Sequence, residues 1–147
     1  MPNYKKIIVA VDLSEEAEPV MRRAAGMAKH HGAELHLLHV VEHLSMAYGG
    51  DIPMDFASIQ EQLQEQASDH MATLGDRYGV AADYRHLLTG QADRQIHDLS
   101  EELGADLIIL GSHGRKGFAL LLGSTANSVL HGATCDVLAV RVGKSEE

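Results

Sequence analysis

The residues best suited to chemistry fall in two places. One is Asp12, at the end of the β-branched run KIIVAV and the start of VDLS. The other is GSHGRKGFALLLGST, residues 111–125, which carries four glycines. Gly111 and Gly114 lack side chains, so the backbone there can turn sharply and let a ligand approach. Gly123, Ser124 and Thr125 open a predicted helix whose free N–H groups and positive dipole end suit an anion. The two hydroxyls add donors, and Arg115 and Lys116 add positive charge at the other end of the segment. Such ends can hold a polyphosphate across the apolar patch between them. The same composition also suits a tight turn followed by a capped helix. The Asp12 carboxylate can accept from a ribose hydroxyl or hold Mg²⁺ on phosphates. It can equally bond nearby backbone N–H groups in a local turn. Neither G-x-x-x-x-G-K-[ST] nor G-x-G-x-x-G occurs in the chain, so a P-loop and a dinucleotide fingerprint are both excluded.

Strands and helices that alternate along the chain must position these loops. Residues 6–11, KIIVAV, form a β-branched run that is unbrokenly apolar after Lys6, as in a strand buried on both faces. Ser14 offers an N-cap, and Ala17, Val20, Met21, Ala24 and Ala28 keep helical spacing up to His30, His31 and Gly32. A second buried strand is expected over 35–41, then a lid-like loop over 42–54. Asp55 can cap a long helix with Phe56, Ile59, Leu63, Ala67, Met71, Leu74 and Tyr78 on its apolar face, stopped by Gly79. A third strand is expected over 84–88. Ala92, Ile96, Leu99 and Leu103 mark a helix closed by Gly104. A fourth strand over 107–110 leads into the glycine segment. A last helix from Ser124 to Leu130 precedes a fifth strand over 137–142. The alternation implies an α/β sandwich around a parallel sheet, with ligands past the carboxyl ends of the strands.

The 147 residues fit one domain, residues 1–147, with 45% hydrophobic content. A formal net charge of −9 argues against general nucleic-acid binding. The lone cysteine, Cys135, precludes an internal disulfide framework. No apolar run reaches membrane-spanning length, and the expected setting is cytoplasmic. Ten histidines invite a metal reading. Yet His36 and His39 should point to opposite faces of a strand, which argues against a shared site with His43. Ser14 has no base partner that would make it a nucleophile.

The chain resembles the universal stress proteins of the UspA type nearly end to end. The match is carried by AVDLS, HLLHVVE, DLIILGSHGRKG, LLLGSTANSVL and CDVLAVRV. The resemblance implies a Rossmann-like three-layer sandwich with a five-stranded parallel sheet in order 3-2-1-4-5. It implies a homodimer through the last strand, residues 137–142, an apolar edge with little charge against pairing. It also implies a cytoplasmic stress-response protein that binds ATP, or AMP or ADP, with or without Mg²⁺, as a regulatory signal. Adenine would lie near Ala10, Val11 and Val41. Ribose and metal would lie near Asp12. Phosphates would meet Gly111, His113, Gly114, Arg115, Gly123, Ser124 and Thr125. No catalytic residue is assigned: the family role is regulatory, with at most weak ATPase activity through His113 or Asp12.

Two departures favour an alternative, a dimeric interaction module that binds no nucleotide. ATP binders of the family place nine residues between the second and third motif glycines, whereas eight separate Gly114 from Gly123. They also commonly carry VDGS where this chain has VDLS, so Leu13 replaces a glycine.

Overall fold

The structure, a computed structural model, describes residues 3–13, 17–42, 56–112 and 124–142. Among them are five strands and four α-helices in alternation. The strands are β1 (Lys6–Ala10), β2 (Glu34–Val41), β3 (Arg85–Thr89), β4 (Leu107–Gly111) and β5 (Asp136–Val140). The helices are α1 (Ala17–His31), α2 (Phe56–Tyr78), α3 (Ala92–Leu103) and α4 (Ser124–Gly132). All pairings are parallel and the order is β3-β2-β1-β4-β5, the expected topology.

Alternation along β1 and β4 sends side chains to two separate cores. Ile7, Val9, Leu107 and Ile109 pack with Val20, Met21 and Ala24 of α1 and Met71 and Leu74 of α2. Ile8, Ile108 and Leu110 pack on the other face with Ile96 and Leu99 of α3 and Ala126 and Val129 of α4. Ile7, Ile8, Val9, Ile108 and Ile109 are fully buried, which explains why β1 and β4 read as unbroken apolar runs. The five predicted face residues of α1 are all buried. Helices α1, α2 and α3 are followed by Gly32, Gly79 and Gly104 at φ 66°, 71° and 69°, the left-handed stops expected from the sequence.

The boundaries differ where hydrogen bonds leave the ladder. Strand β1 stops one residue early because the Val11 carbonyl accepts from the His39 ring instead. Strand β5 stops at Val140 rather than 142. Beyond it, the Val142 N–H donates to the Ser112 hydroxyl at 3.4 Å. Tyr84 closes a 3₁₀ turn over Ala82–Tyr84 and so precedes β3, which runs to Thr89. Helix α4 continues two residues past Leu130. On α2, Leu63 is 37% exposed instead of packed. The three successive steps of four from Ile59 to Met71 rotate the stripe about 40° each, which leaves Leu63 at its margin. Half-buried Gln64 turns inward there and donates to the Thr89 hydroxyl at 2.6 Å.

Candidate functional site

Strand order reverses between β1 and β4: β1 continues to β2 on one side, and β4 to β5 on the other. Crossover helices therefore leave on opposite faces, and a crevice forms past the strand ends. A cavity of about 340 Å³ lies there. Its floor includes Ala10 and Val11 from β1 and its exit, Leu110 and Gly111 from β4, and Leu38 and Val40 from β2. Ala17 of α1, Ala92 and Ile96 of α3, and Thr125 and Ala126 of α4 wall it. Small alanines at the helix starts keep the space open while the lining stays mostly apolar.

The exit of β1 is held twice by β2. The Val11 N–H donates to the Leu38 carbonyl at 3.0 Å, and the Val11 carbonyl accepts from His39 Nδ1–H at 2.7 Å. Asp12 follows, exposed and among the residues that line the cavity. Leu13 then takes φ 62°. This is the left-handed region that a glycine at this position would enter without strain. The replacement of glycine by leucine therefore leaves the glycine-type backbone path in place. The exit of β4 is tied to β5, since Ser112 N–H donates to the Val140 carbonyl at 2.7 Å.

The structure thus gathers Ala10, Val11, Asp12, Gly111 and Thr125 around one cavity. Ser124 is the first residue of α4. Val41 is not brought to the lining; it is buried, and its carbonyl accepts from Gly90 N–H at 3.0 Å. His113, Gly114, Arg115, Lys116 and Gly123 lie outside the described residues, as do Ser14, His43, Asp55 and all but Glu42 of the expected lid. The His36 ring meets His86 and Glu34, while the His39 ring meets Val11, so the two point to opposite faces as alternation required.

Two polar groups in the lining were not singled out from the sequence: His39 and Glu42. Their signal was positional, at the carboxyl end of the strand beside β1. With Asp12, Glu42 gives the cavity two carboxylates. An oligophosphate would meet repulsion there unless a cation stood between. One or two carboxylates completed by phosphate oxygens and water are donors that suit Mg²⁺. No cluster of three metal-ligating side chains occurs among the described residues, so such a cation would depend on the phosphates for its remaining oxygens.

The model of the universal stress protein family matches residues 3–141. Universal stress protein A homolog 2 of Coxiella burnetii is 42% identical over 146 residues, covering 97% of this chain and 98% of that protein. Universal stress protein G of Escherichia coli O157:H7 is 32% identical, covering 94% and 99%. Among solved structures, the hypothetical protein MJ0577 superposes with a TM-score of 0.80 at 26% identity, covering 97% and 99%. A universal stress protein solved in complex with cAMP has the same fold, with a TM-score of 0.68 at 22% identity, covering 95% and 98%. With topology and sequence in agreement over nearly its whole length, this chain belongs to the universal stress protein family.

Proposed function

We propose that the protein is a regulatory, non-catalytic adenine-nucleotide binder of the cytoplasm, acting as one domain and as a homodimer through the β5 edge. The observation that carries this is the cavity past β1 and β4, where Asp12 stands beside an apolar floor and the start of α4. An apolar pocket with a few convergent polar groups suits a purine and its ribose. The N-terminus of α4, with Thr125 at the cavity, suits phosphate. Mg²⁺ would be held by Asp12 and the phosphates. A related fold crystallised with cAMP supports the ligand class. The motif residues His113, Gly114, Arg115, Gly123 and Ser124 would complete the phosphate contacts.

Occupancy would act by population shift: the ligand stabilises the conformation it binds and so changes the surface offered to a partner. Titration calorimetry with Mg-ATP tests the proposal. Saturable heat is expected, and at a hundredfold excess over Kd a stabilisation of about 2.7 kcal/mol. No heat and no thermal shift at millimolar ATP, ADP or AMP would refute it. The module without nucleotide is favoured by the spacing of eight residues between Gly114 and Gly123, one fewer than in the ATP binders. Under that alternative, dimerisation would persist while every nucleotide titration stayed flat.

A further inference from the structure

Away from the cavity, a second polar cluster joins β2 to β3. His36 is 3% exposed, and its two ring nitrogens are both engaged. Its Nε2 lies 3.1 Å from Glu34 Oε1, and its Nδ1 lies 3.0 Å from His86 Nε2. The His86 ring meets it edge to edge, with centroids 5.2 Å apart and planes 26° from parallel, and the Tyr84 ring sits at 4.3 Å. We propose that Glu34, His36 and His86 form a proton-operated clasp, closed by at most one extra proton and opened by a second, that ties the edge strand β3 to the sheet.

The chemistry follows from donors and acceptors. A carboxylate only accepts, so His36 Nε2 carries the hydrogen that points at Glu34. In the neutral pair, His36 Nδ1 is then the acceptor and His86 Nε2–H the donor. One added proton is accommodated. His36 becomes a cation donating from both nitrogens, and His86 shifts to its Nδ1–H tautomer and accepts through Nε2. Two added protons are not accommodated. Two N–H groups then face each other at 3.0 Å with no acceptor between, and two like charges share a part-buried contact.

The surroundings do not neutralise a second charge. Glu34 is the carboxylate already engaged, and its side chain is 42% exposed. Lys6, in register with Glu34 on β1, adds positive charge and donates to the Leu103 carbonyl at 3.1 Å. On the β3 side, Arg85 is committed to Asp76 of α2 and to the Val80 carbonyl. Tyr84, from the 3₁₀ turn, contributes a ring face. Glu102 of α3 favours a charged His86, but burial and the His36 charge outweigh it and hold His86 below the ordinary histidine value of 6.5.

The mechanical consequence falls on β3. Among the described residues it pairs with β2 alone, and all five of its residues are only half-buried. As pH falls through about 6.5, the opened chain takes up the second proton before the closed one does. Opening is then favoured by up to about tenfold per pH unit for one excess proton. Above that range the closed clasp is fully stabilised.

Hydrogen exchange between pH 7.5 and 5, corrected for intrinsic rates, tests this on the full chain. Protection of the β3 amides should fall with pH by up to about tenfold per unit, while that of β4 amides stays level. In His86→Gln, an amide replaces the donor without titrating, and the β3 fall should disappear. Parallel behaviour of β3 and β4 in the wild type, or the same β3 fall in His86→Gln, would overturn the proposal. Should the variant fail to fold, imidazole NMR of the wild type decides. A His86 titration displaced below the ordinary histidine value is expected, and an undisplaced His86 titration would contradict it.

Discussion

An aspartate stands at each end of the central strands, and the two are used differently. At the amino ends, half-buried Asp106 precedes β4 and accepts from the backbone N–H groups of Lys5 and Lys6 at 3.0–3.2 Å. Its own N–H donates to the Lys6 carbonyl. Nearby, the Tyr4 hydroxyl donates to Asp136 at 2.6 Å, which raises the tyrosine pKa. That end is sewn shut with side chain–backbone bonds. At the carboxyl ends, Asp12 is exposed beside a cavity, and the backbone after it is held in a left-handed turn at Leu13. One carboxylate satisfies the chain's own donors, whereas the other borders space for a ligand. The residue type is the same, and position in the topology decides its role.

The contrast predicts a crossover between two variants. Asp106→Ala leaves the Lys5 and Lys6 N–H groups without their charged acceptor, and should lower unfolding free energy by about 2 kcal/mol. Its nucleotide affinity should not change. Urea melts and titration calorimetry on the same protein check both halves. Asp12→Ala should do the reverse, weakening Mg-nucleotide binding about tenfold, or ~1.4 kcal/mol. Its loss of nucleotide affinity should exceed any that Asp106→Ala shows. Equal affinity losses in the two variants would erase the distinction between the ends.

His39 sharpens it further, since it belongs to the open end yet does structural service. His39→Phe keeps the ring but removes the donor to the Val11 carbonyl, and should cost about 1 kcal/mol in thermal or urea unfolding. It should also loosen the start of VDLS and weaken ligand binding. The smallest effect is expected for Leu13→Gly. Relief of left-handed strain, about 1–2 kcal/mol, is opposed by the greater freedom of glycine in the unfolded chain, about 0.5–1 kcal/mol. Leu13 also packs against the α1 side of the core, so the net change should stay within about 1 kcal/mol. A loss of several kcal/mol would mean that the leucine, and not the turn, organises this loop.

Much of this was legible in the sequence for identifiable reasons. Strands β1 and β4 are buried on both faces, so KIIVAV and DLIIL carry no helical period to confuse them. The glycines after α1, α2 and α3 marked their stops. The strand order, by contrast, came from the resemblance, because local pattern does not say which strands are neighbours. Leu63 was misplaced because a drifting stripe looks continuous when its residues are read three and four apart. The end of β1 was missed because its last carbonyl is taken by a histidine 28 positions away. Of the candidate site, Asp12 and Gly111 were visible as polar or glycine residues ending apolar runs. His39 and Glu42 were not, since they join the cavity only through the pairing of β2 with β1.

A nucleotide bound at the carboxyl ends of β1 and β4 should leave the amino ends untouched. Amide NMR of the full chain titrated with Mg-ATP distinguishes the two ends residue by residue. Saturable shifts are expected at Val11, Asp12, Gly111 and Thr125, with Lys5, Lys6 and Asp106 unmoved. No shifts at millimolar ligand, or shifts centred on the Asp106 end, would contradict it.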